Sequence, residues 1–329
     1  MGDQHLTTRA KSAALGLALL SSVCFGSSGP FAKALIHAGL SPLQAVWLRV
    51  AGAALVLVPV TLALRGTAGF RAAGRRGLPL LVIFGVTGVA GCQACYFVAA
   101  ARLPVGVAIL LEYTGPVLVV AWLRFVRHVP VARSAATGVA VALTGVACVV
   151  QVWAGLRLDG IGLLAGFGAA ASQAAYFLIA KRMTADTDPL VLTSAGFVVG
   201  AAVLTPLAAP WSLPWDLLPA DVMFAGRPAP AWLIAAWIIV VSTVVAYVTS
   251  VLVVRRLPAP VAAAVSYPEA VAATMFAWLI LGEQLAAVQI MGGLIVLAGA
   301  FIAQRAVAAD RPVAVPAGEA AAAAPFAAR

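Results

Sequence analysis

Charged residues are scarce in this sequence: they make up only 10% of its 329 residues, while hydrophobic residues make up 63%. A soluble domain carries about 25% charged and about 45–50% apolar residues, and a water-soluble protein of this length could not bury so much apolar surface. Acidic residues are scarcest, with 11 Asp and Glu against 21 Lys and Arg. The composition excludes a cytosolic enzyme, a secreted disulfide scaffold and a disordered chain, and it predicts a protein embedded in lipid.

Metal ligands and redox thiols are also few. The 4 Cys and 3 His residues form no ligand cluster, and the one C-x-x-C pair, Cys92 and Cys95, falls within an apolar run. No glycine-rich phosphate loop carries a lysine. A membrane-embedded enzyme acting on lipid would need a nucleophile–base or metal constellation, and the sequence has none. We therefore expect no catalytic residues, no metal, no cofactor and no enzymatic activity.

Apolar runs of about 20 residues, the length that a helix needs to cross a bilayer, recur ten times along the chain. They cover residues 13–36, 42–64, 78–101, 104–124, 134–153, 161–181, 189–209, 231–254, 258–281 and 285–304. The longer connections are 65–77 and 210–230, and the Ala/Pro-rich segment 306–329 is predicted to be a disordered cytoplasmic tail. The fold class predicted is an all-α integral membrane protein with ten transmembrane helices.

The basic residues indicate how the chain is threaded. Arg9 and Lys11 precede the first apolar run, as in a signal peptide, but no clean A-x-A cleavage site follows, so we interpret this run as a retained span. With residues 1–12 as a cytoplasmic N-terminus, most of the 21 Lys and Arg residues fall on the cytoplasmic side. The placement of the basic residues therefore predicts a membrane topology with both termini cytoplasmic. We do not interpret the net charge of +10 as a sign of a nucleic-acid partner.

An internal repeat relates the two halves of the chain. Residues 102–150 align without a gap to residues 256–304 at an offset of 154, and the triplet Arg102-Leu103-Pro104 recurs as Arg256-Leu257-Pro258. We predict one five-helix repeat at 13–153 and a second at 161–305. Because five is odd, the second repeat enters the membrane from the opposite face, which is a common transporter architecture with the substrate site near the midplane.

Several motifs carry a family resemblance. Leu48-Arg49 lies in the second span, the ninth span ends in the run from Ala277 to Glu283, and the fourth contains Leu111-Glu112-Tyr113-Thr114-Gly115-Pro116. Over about residues 13–305 the chain resembles EamA-type members of the drug/metabolite transporter superfamily, and the fourth span is similar to the threonine/homoserine exporter branch. The resemblance implies a bacterial inner-membrane exporter of small metabolites, with amino acids foremost; drug efflux and obligate metabolite antiport are the alternatives.

Ionisable residues inside the predicted spans are the first candidates for function, since each costs about 2.5–3.5 kcal/mol at mid-membrane. Counted at about 1.5 Å of rise per residue, Arg49, Glu112 and Glu269 fall in one central layer. We expect Glu112 and Glu269 to face a polar cavity and to be candidate proton carriers. Arg49 would neutralise one of them or hold a substrate carboxylate; the alternative is a static Arg49–Glu112 ion pair. Lys33, near the end of its span, is expected to snorkel.

Two prolines and several polar side chains complete the candidate site. Pro116 and Pro268 lie inside spans four and nine, and each is expected to kink its helix by freeing the carbonyl four residues earlier. For the polar side chains, interhelical packing is the alternative to substrate contact. These candidates are Tyr113, Tyr267, Gln93, Tyr96, Gln173, Tyr176 and Tyr247. The partners expected are a small-molecule substrate and membrane lipid, and a homodimer stays open.

Overall fold

The computed structural model describes residues 2–128, 131–154, 158–183, 188–256 and 267–309, and within these ranges the chain is mostly helical. The helices are α1 Gly2–His37, α2 Pro42–Phe84, α3 Cys92–Arg102, α4 Val105–Glu112, α5 Gly115–Ala121, α6 Arg133–Val150, α7 Gly160–Met183, α8 Pro189–Ala208, α9 Ala231–Ile239, α10 Ala246–Arg256, α11 Pro268–Leu281 and α12 Ala287–Ala309.

Segments of π-helix and a small hairpin join some of these helices. The π-helical segments are Gly85–Gly91 between α2 and α3, Trp122–Val126 after α5, and Val240–Val245 between α9 and α10. The predicted long connection at 210–230 contains short 3-10 turns and two antiparallel strands, β1 Asp221–Phe224 and β2 Arg227–Pro230.

Eight helical segments of the described chain are long and apolar enough to cross a membrane. They are Leu15–His37, Pro42–Arg71, Leu78–Arg102, Val105–Val126, Arg133–Val150, Pro189–Ala208, Ala231–Ser250 and Ala287–Ala306. Of the two further predicted spans, 161–181 lies within the 24-residue helix α7, and α11 forms the second half of 258–281. The first part of the ninth predicted span, and the tail from residue 310 onward, lie outside the described residues.

The predicted connection at 65–77 is helical instead. Helix α2 begins at a capping box, in which the Ser41 side chain accepts from the Gln44 backbone and the Gln44 side chain accepts from the Ser41 backbone. It then continues through 65–77 to Phe84, although Gly66 has a φ of +66°. The charged residues there end the apolar run, but arginine and alanine are good helix formers. Hydropathy marks where a span leaves the apolar region and not where its helix ends.

Helices α6 and α12 pack with their backbones in close approach. A Cβ atom on Gly138 would lie 2.9 Å from the carbonyl of Gly299, and one on Gly145 would lie 2.7 Å from the carbonyl of Gly292. Larger side chains would force these helices apart, as at other small-residue helix contacts in membranes. Because the lower-numbered residue of α6 meets the higher-numbered residue of α12, the two helices run antiparallel.

A buried ion pair connects three separate segments of the chain. Lys33 lies 2.6 Å from Glu283 and donates a hydrogen bond to the Leu103 carbonyl at 2.7 Å, while the Val105 amide donates to Glu283 at 2.7 Å. The prediction that Lys33 snorkels is wrong, since this residue is only 7% exposed. Gly282, at φ +68°, ends α11 with a left-handed turn, and the next residue, Glu283, is the partner of Lys33. We call Lys33, Leu103, Val105 and Glu283 the Lys33 cluster.

Candidate functional site

The fourth predicted span is broken where its carboxylate lies. Helix α4 ends at Glu112, Tyr113 and Thr114 form a turn, and α5 begins at Gly115 with Pro116 in its first turn. Pro116 thus starts a new helix after a break. The Thr114 hydroxyl and the Thr114 backbone N–H both donate to the Leu111 carbonyl, at 2.7 and 3.0 Å. Irregular backbone at membrane depth is tolerated only where it is buried in protein or lines a cavity.

Glu112 receives hydrogen bonds from two neutral side chains. Gln173 Nε2 of α7 donates to Glu112 Oε1 at 3.2 Å, and the Cys92 thiol at the start of α3 lies 3.3 Å from the same oxygen. Gln173 also lies directly against Gly115, where its amide would overlap with any side chain. As the last residue of α4, Glu112 sits at the negative end of that helix dipole, which gives its charge no support.

Glu269 is held by an aromatic neighbour from the other half of the chain. The Tyr113 hydroxyl donates to Glu269 Oε2 at 3.2 Å. The Tyr113 and Tyr267 rings are tilted against each other at a centroid distance of 5.4 Å, and the Tyr267 hydroxyl donates to Gln304 of α12 at 3.0 Å. Glu269 lies in the first turn of α11, directly after Pro268, where the helix dipole favours a negative charge. The carbonyl that Pro268 was expected to free, that of Ala264, lies outside the described residues.

Arg49 is fully buried, at 2% exposure, but forms no ion pair in the described chain. Its Nε donates to Thr243 at 2.8 Å, its Nη1 donates to Gln93 at 2.6 Å, and its Nη2 donates to the Ser242 carbonyl at 3.3 Å. The Phe97 ring lies 5.6 Å below the guanidinium carbon. The alternative interpretation of a static Arg49–Glu112 ion pair is therefore wrong, because none of the ion pairs in the described chain includes either residue.

Neighbouring residues connect these contacts into one network. Cys92 and Gln93 are adjacent in α3, and they reach Glu112 and Arg49 respectively. Glu112 and Tyr113 are also adjacent, and Tyr113 reaches Glu269. The three ionisable residues are close enough to act on one another electrostatically without direct contact. We call this set the carboxylate network: Arg49, Cys92, Gln93, Glu112, Tyr113, Gln173 and Glu269.

The remaining predicted candidates lie among aromatic and apolar neighbours. Tyr247 packs edge-on against Phe25 and Phe197, at centroid distances of 4.9 and 5.0 Å. Tyr176 lies against Phe84 at 5.4 Å. Tyr96 is different: it is 4% exposed, and its hydroxyl has no hydrogen-bond partner in the described chain. A buried polar group of this kind marks a place where a further polar partner would be favourable.

Sequence reasoning missed several contacts of the network. No sequence pattern points to Cys92, Ser242 or Thr243 as site residues, yet they contact Glu112 and Arg49. The sequence gives no strong signal for them, since a single Cys, Ser or Thr in an apolar run is ordinary in membrane helices. Their positions beside π-helical segments are the structural feature that sets them apart.

An apolar groove lies apart from the network. It has a volume of about 580 Å³ and is lined by residues of α4, α11 and α12, among them Leu110, Trp278 and Leu294, with Glu283 also among its lining residues. Neither Glu112 nor Glu269 lines it. In the described chain, no group of three or more His, Cys, Asp or Glu side chains could hold a metal ion.

The fold and the network define a multi-pass membrane protein with ionisable side chains buried between its helices. Residues 12–151 and 160–304 each match the model of the EamA-like transporter family, and the chain belongs to that family.

Individual relatives are more distant. The chain is 25% identical to the threonine/homoserine exporter RhtA of Salmonella typhimurium over 228 residues, which is 67% of this chain and 69% of the relative. It is 26% identical over 147 residues to the uncharacterized transporter YwfM of Bacillus subtilis, covering 45% of this chain and 46% of that protein's length. A solved protein crystal structure shares the fold, with a TM-score of 0.57 and 22% identity over 91% of this chain and 99% of its own.

Proposed function

We propose that this protein is a secondary transporter that exports small metabolites, with amino acids as the leading substrate class, across the bacterial plasma membrane by alternating access. Membership of a transporter family supports the transport activity. The similarity to a threonine/homoserine exporter favours amino acids over other metabolites. The carboxylate network would form the substrate and coupling site.

An inverted repeat of five plus five helices accounts for the packing of α6 against α12. These two helices correspond under the repeat offset of 154, which pairs Gly138 with Gly292 and Gly145 with Gly299. The observed contacts join Gly138 to Gly299 and Gly145 to Gly292, so each contact maps onto the other when the halves are exchanged. Two equivalent helices that pack antiparallel are what an inverted repeat requires. The ten-helix count would follow from α7 as span six and from α11 as the described part of the predicted span 258–281.

A π-helical segment recurs at the equivalent position in each half of the chain. Adding the repeat offset of 154 to residues 86–91 gives residues 240–245, so the segments Gly85–Gly91 and Val240–Val245 occupy equivalent places. The first leads directly into Cys92 and Gln93, and the second contains Ser242 and Thr243. Short π-helical stretches are frequent at functional sites. We infer that these segments let the network rearrange when the halves alternate.

The observation that carries the proposal is the pairing of both partly buried carboxylates, Glu112 and Glu269, with neutral donors. Glu112 is held by an amide and a thiol, and Glu269 by a phenol, whereas none of the three ion pairs in the described chain includes either residue. A static structural role would favour a cationic partner, because an unpaired buried charge is costly. Carboxylates left in this state suit the exchange of a proton or a substrate cation during transport.

The test is flux through the purified full-length protein in liposomes. Radiolabelled L-threonine and L-homoserine should cross liposomes that contain the wild-type protein, and a pH gradient should change the rate if a carboxylate carries a proton. Glu112→Gln and Glu269→Gln should each lower the flux at least tenfold. Asp221→Asn, which removes one charge from the exposed strand β1, serves as the matched control. Wild-type flux and pH dependence in both glutamine variants would contradict the proposal.

A further inference from the structure

We propose that Glu269, together with the rings of Tyr113 and Tyr267, forms an ammonium-binding subsite, so that the transporter selects substrates by a positively charged amine and not by a carboxylate. This inference rests on the proposed transport function, and it assigns the substrate chemistry of the same site.

The net charge of the carboxylate network favours the binding of a monovalent cation. Two carboxylates, Glu112 and Glu269, face one cationic residue, Arg49, and the described chain offers Glu269 no ion-pair partner. Residues 257–266, which precede α11, contain no charged side chain. With all three groups ionised, the network carries one uncompensated negative charge. A bound ammonium group would balance it.

The neighbours of Glu269 have the shape that ammonium recognition uses. The rings of Tyr113 and Tyr267 are tilted by 39° at a centroid distance of 5.4 Å, and Phe301 packs edge-on against Tyr267 at 6.0 Å. An ammonium group is attracted to aromatic faces within about 6 Å, and this attraction increases when water is excluded. The hydrogen bond from Tyr267 to Gln304 fixes its ring in place before a ligand arrives. Glu269 is only partly buried, so this corner can be reached.

Three of the five N–H donors of Arg49 are already used within the protein. A guanidinium recognises a carboxylate with two parallel donors, but here its nitrogens donate to Thr243, Gln93 and the Ser242 carbonyl. A substrate carboxylate at Arg49 would therefore have only the one remaining N–H on each of Nη1 and Nη2, whereas Glu269 has no ion-pair partner in the described chain. The Tyr96 hydroxyl, which is buried and without a partner in the described chain, lies within electrostatic range of Glu269 and Arg49. It offers a neutral polar contact for the rest of the substrate.

Three small probes test this assignment by calorimetric titration of the purified full-length protein. L-Threonine methyl ester keeps the amine and lacks the carboxylate, N-acetyl-L-threonine keeps the carboxylate and lacks the amine, and n-butylammonium carries the amine alone. We expect the ester and n-butylammonium to bind, and N-acetyl-L-threonine to bind at least tenfold more weakly than the ester. Equal or tighter binding of N-acetyl-L-threonine, or no binding of either amine, would overturn the proposal.

Variants locate the subsite. Glu269→Gln should weaken binding of the ester at least tenfold, and Tyr267→Leu about fivefold through loss of the aromatic face. Tyr267→Phe keeps the face and should bind within twofold of wild type, as should Asp221→Asn on the exposed strand. Wild-type affinity in Glu269→Gln would overturn the subsite, and so would equal losses in Tyr267→Phe and Tyr267→Leu.

Flux measurements separate this inference from the proposed function. If wild-type liposomes carry no amino acid but ester binding depends on Glu269, the subsite stands and amino-acid export is wrong. If threonine flux proceeds and an excess of the methyl ester does not inhibit it, export stands and the subsite is wrong.

Discussion

Two groups of buried charges in this protein differ in how they are partnered. In the Lys33 cluster, the lysine and Glu283 lie 2.6 Å apart, and each also binds a backbone group of the α3–α4 connection. In the carboxylate network, Glu112 and Glu269 receive hydrogen bonds from neutral side chains, and Arg49 donates to neutral oxygens. The first group is electrically complete within the protein, whereas the second is not.

This difference indicates that the charges of the Lys33 cluster stabilise the fold, whereas those of the carboxylate network are available to bind a ligand. A complete buried pair gains little from binding anything else, but removal of one partner leaves the other uncompensated. An incomplete network can accept a proton or a cation, at the cost of a less stable resting state. The Lys33 cluster should therefore govern stability, and the carboxylate network should govern transport.

Loss of the Glu283 charge should have the largest effect on stability. Glu283→Gln keeps the side-chain size but leaves buried Lys33 without a counter-charge, which should cost about 3 kcal/mol of unfolding free energy. Denaturant unfolding of the purified protein in detergent measures this loss. The double variant Lys33→Met/Glu283→Leu should recover most of it, because no charge then remains unpaired. A single variant as stable as wild type would show that the pair does not hold these segments together.

Arg49→Lys should have an intermediate effect. Lysine keeps the charge but cannot reproduce the three-nitrogen contact with Thr243, Gln93 and the Ser242 carbonyl, so we expect a loss of about 1–2 kcal/mol. The matched control is Arg65→Lys in the Arg65–Asp188 pair, whose arginine side chain is 43% exposed. That change should cost less than about 0.5 kcal/mol. Equal losses in the two variants would mean that the buried contacts of Arg49 add nothing.

Cys92→Ser should have the smallest effect. Serine replaces the thiol near Glu112 with a hydroxyl that can also donate, and Gln173 keeps its own hydrogen bond. We expect threonine flux within twofold of wild type and a stability change below about 1 kcal/mol. Cys92→Val, which removes the donor at similar size, should lower flux more than Cys92→Ser. If both variants lowered flux equally, the thiol contact would have no part in holding Glu112.

The sequence pointed to Arg49, Glu112 and Glu269 because ionisable residues are rare and costly inside spans. The structure links them through Gln93, Cys92 and Tyr113. The sequence alone could not identify these hydrogen-bond partners, since contacts between helices depend on helix rotations that hydropathy does not specify. The pairing of Glu283 with Lys33 was not predictable for a related reason. It depends on the left-handed turn at Gly282 and on the packing of α1, neither of which hydropathy specifies.

Backbone irregularities were the least predictable features. Pro116 signalled a distortion in span four, but the break at Tyr113 and Thr114, which places Glu112 at a helix end, was not evident. The segment Val240–Val245 consists of four valines, a serine and a threonine, which gives no sign of π-helix. These features depend on contacts between helices and not on local propensity.

The most direct test compares Glu269→Gln with Glu283→Gln for both threonine flux in liposomes and unfolding free energy. Each variant removes one carboxylate charge while keeping the side-chain size. We predict that Glu269→Gln loses at least tenfold in flux with its stability within about 1 kcal/mol of wild type. Glu283→Gln should lose about 3 kcal/mol of stability, and its remaining folded protein should transport normally. A Glu269→Gln variant that transports at the wild-type rate, or that loses flux only in proportion to unfolded protein, would contradict the account.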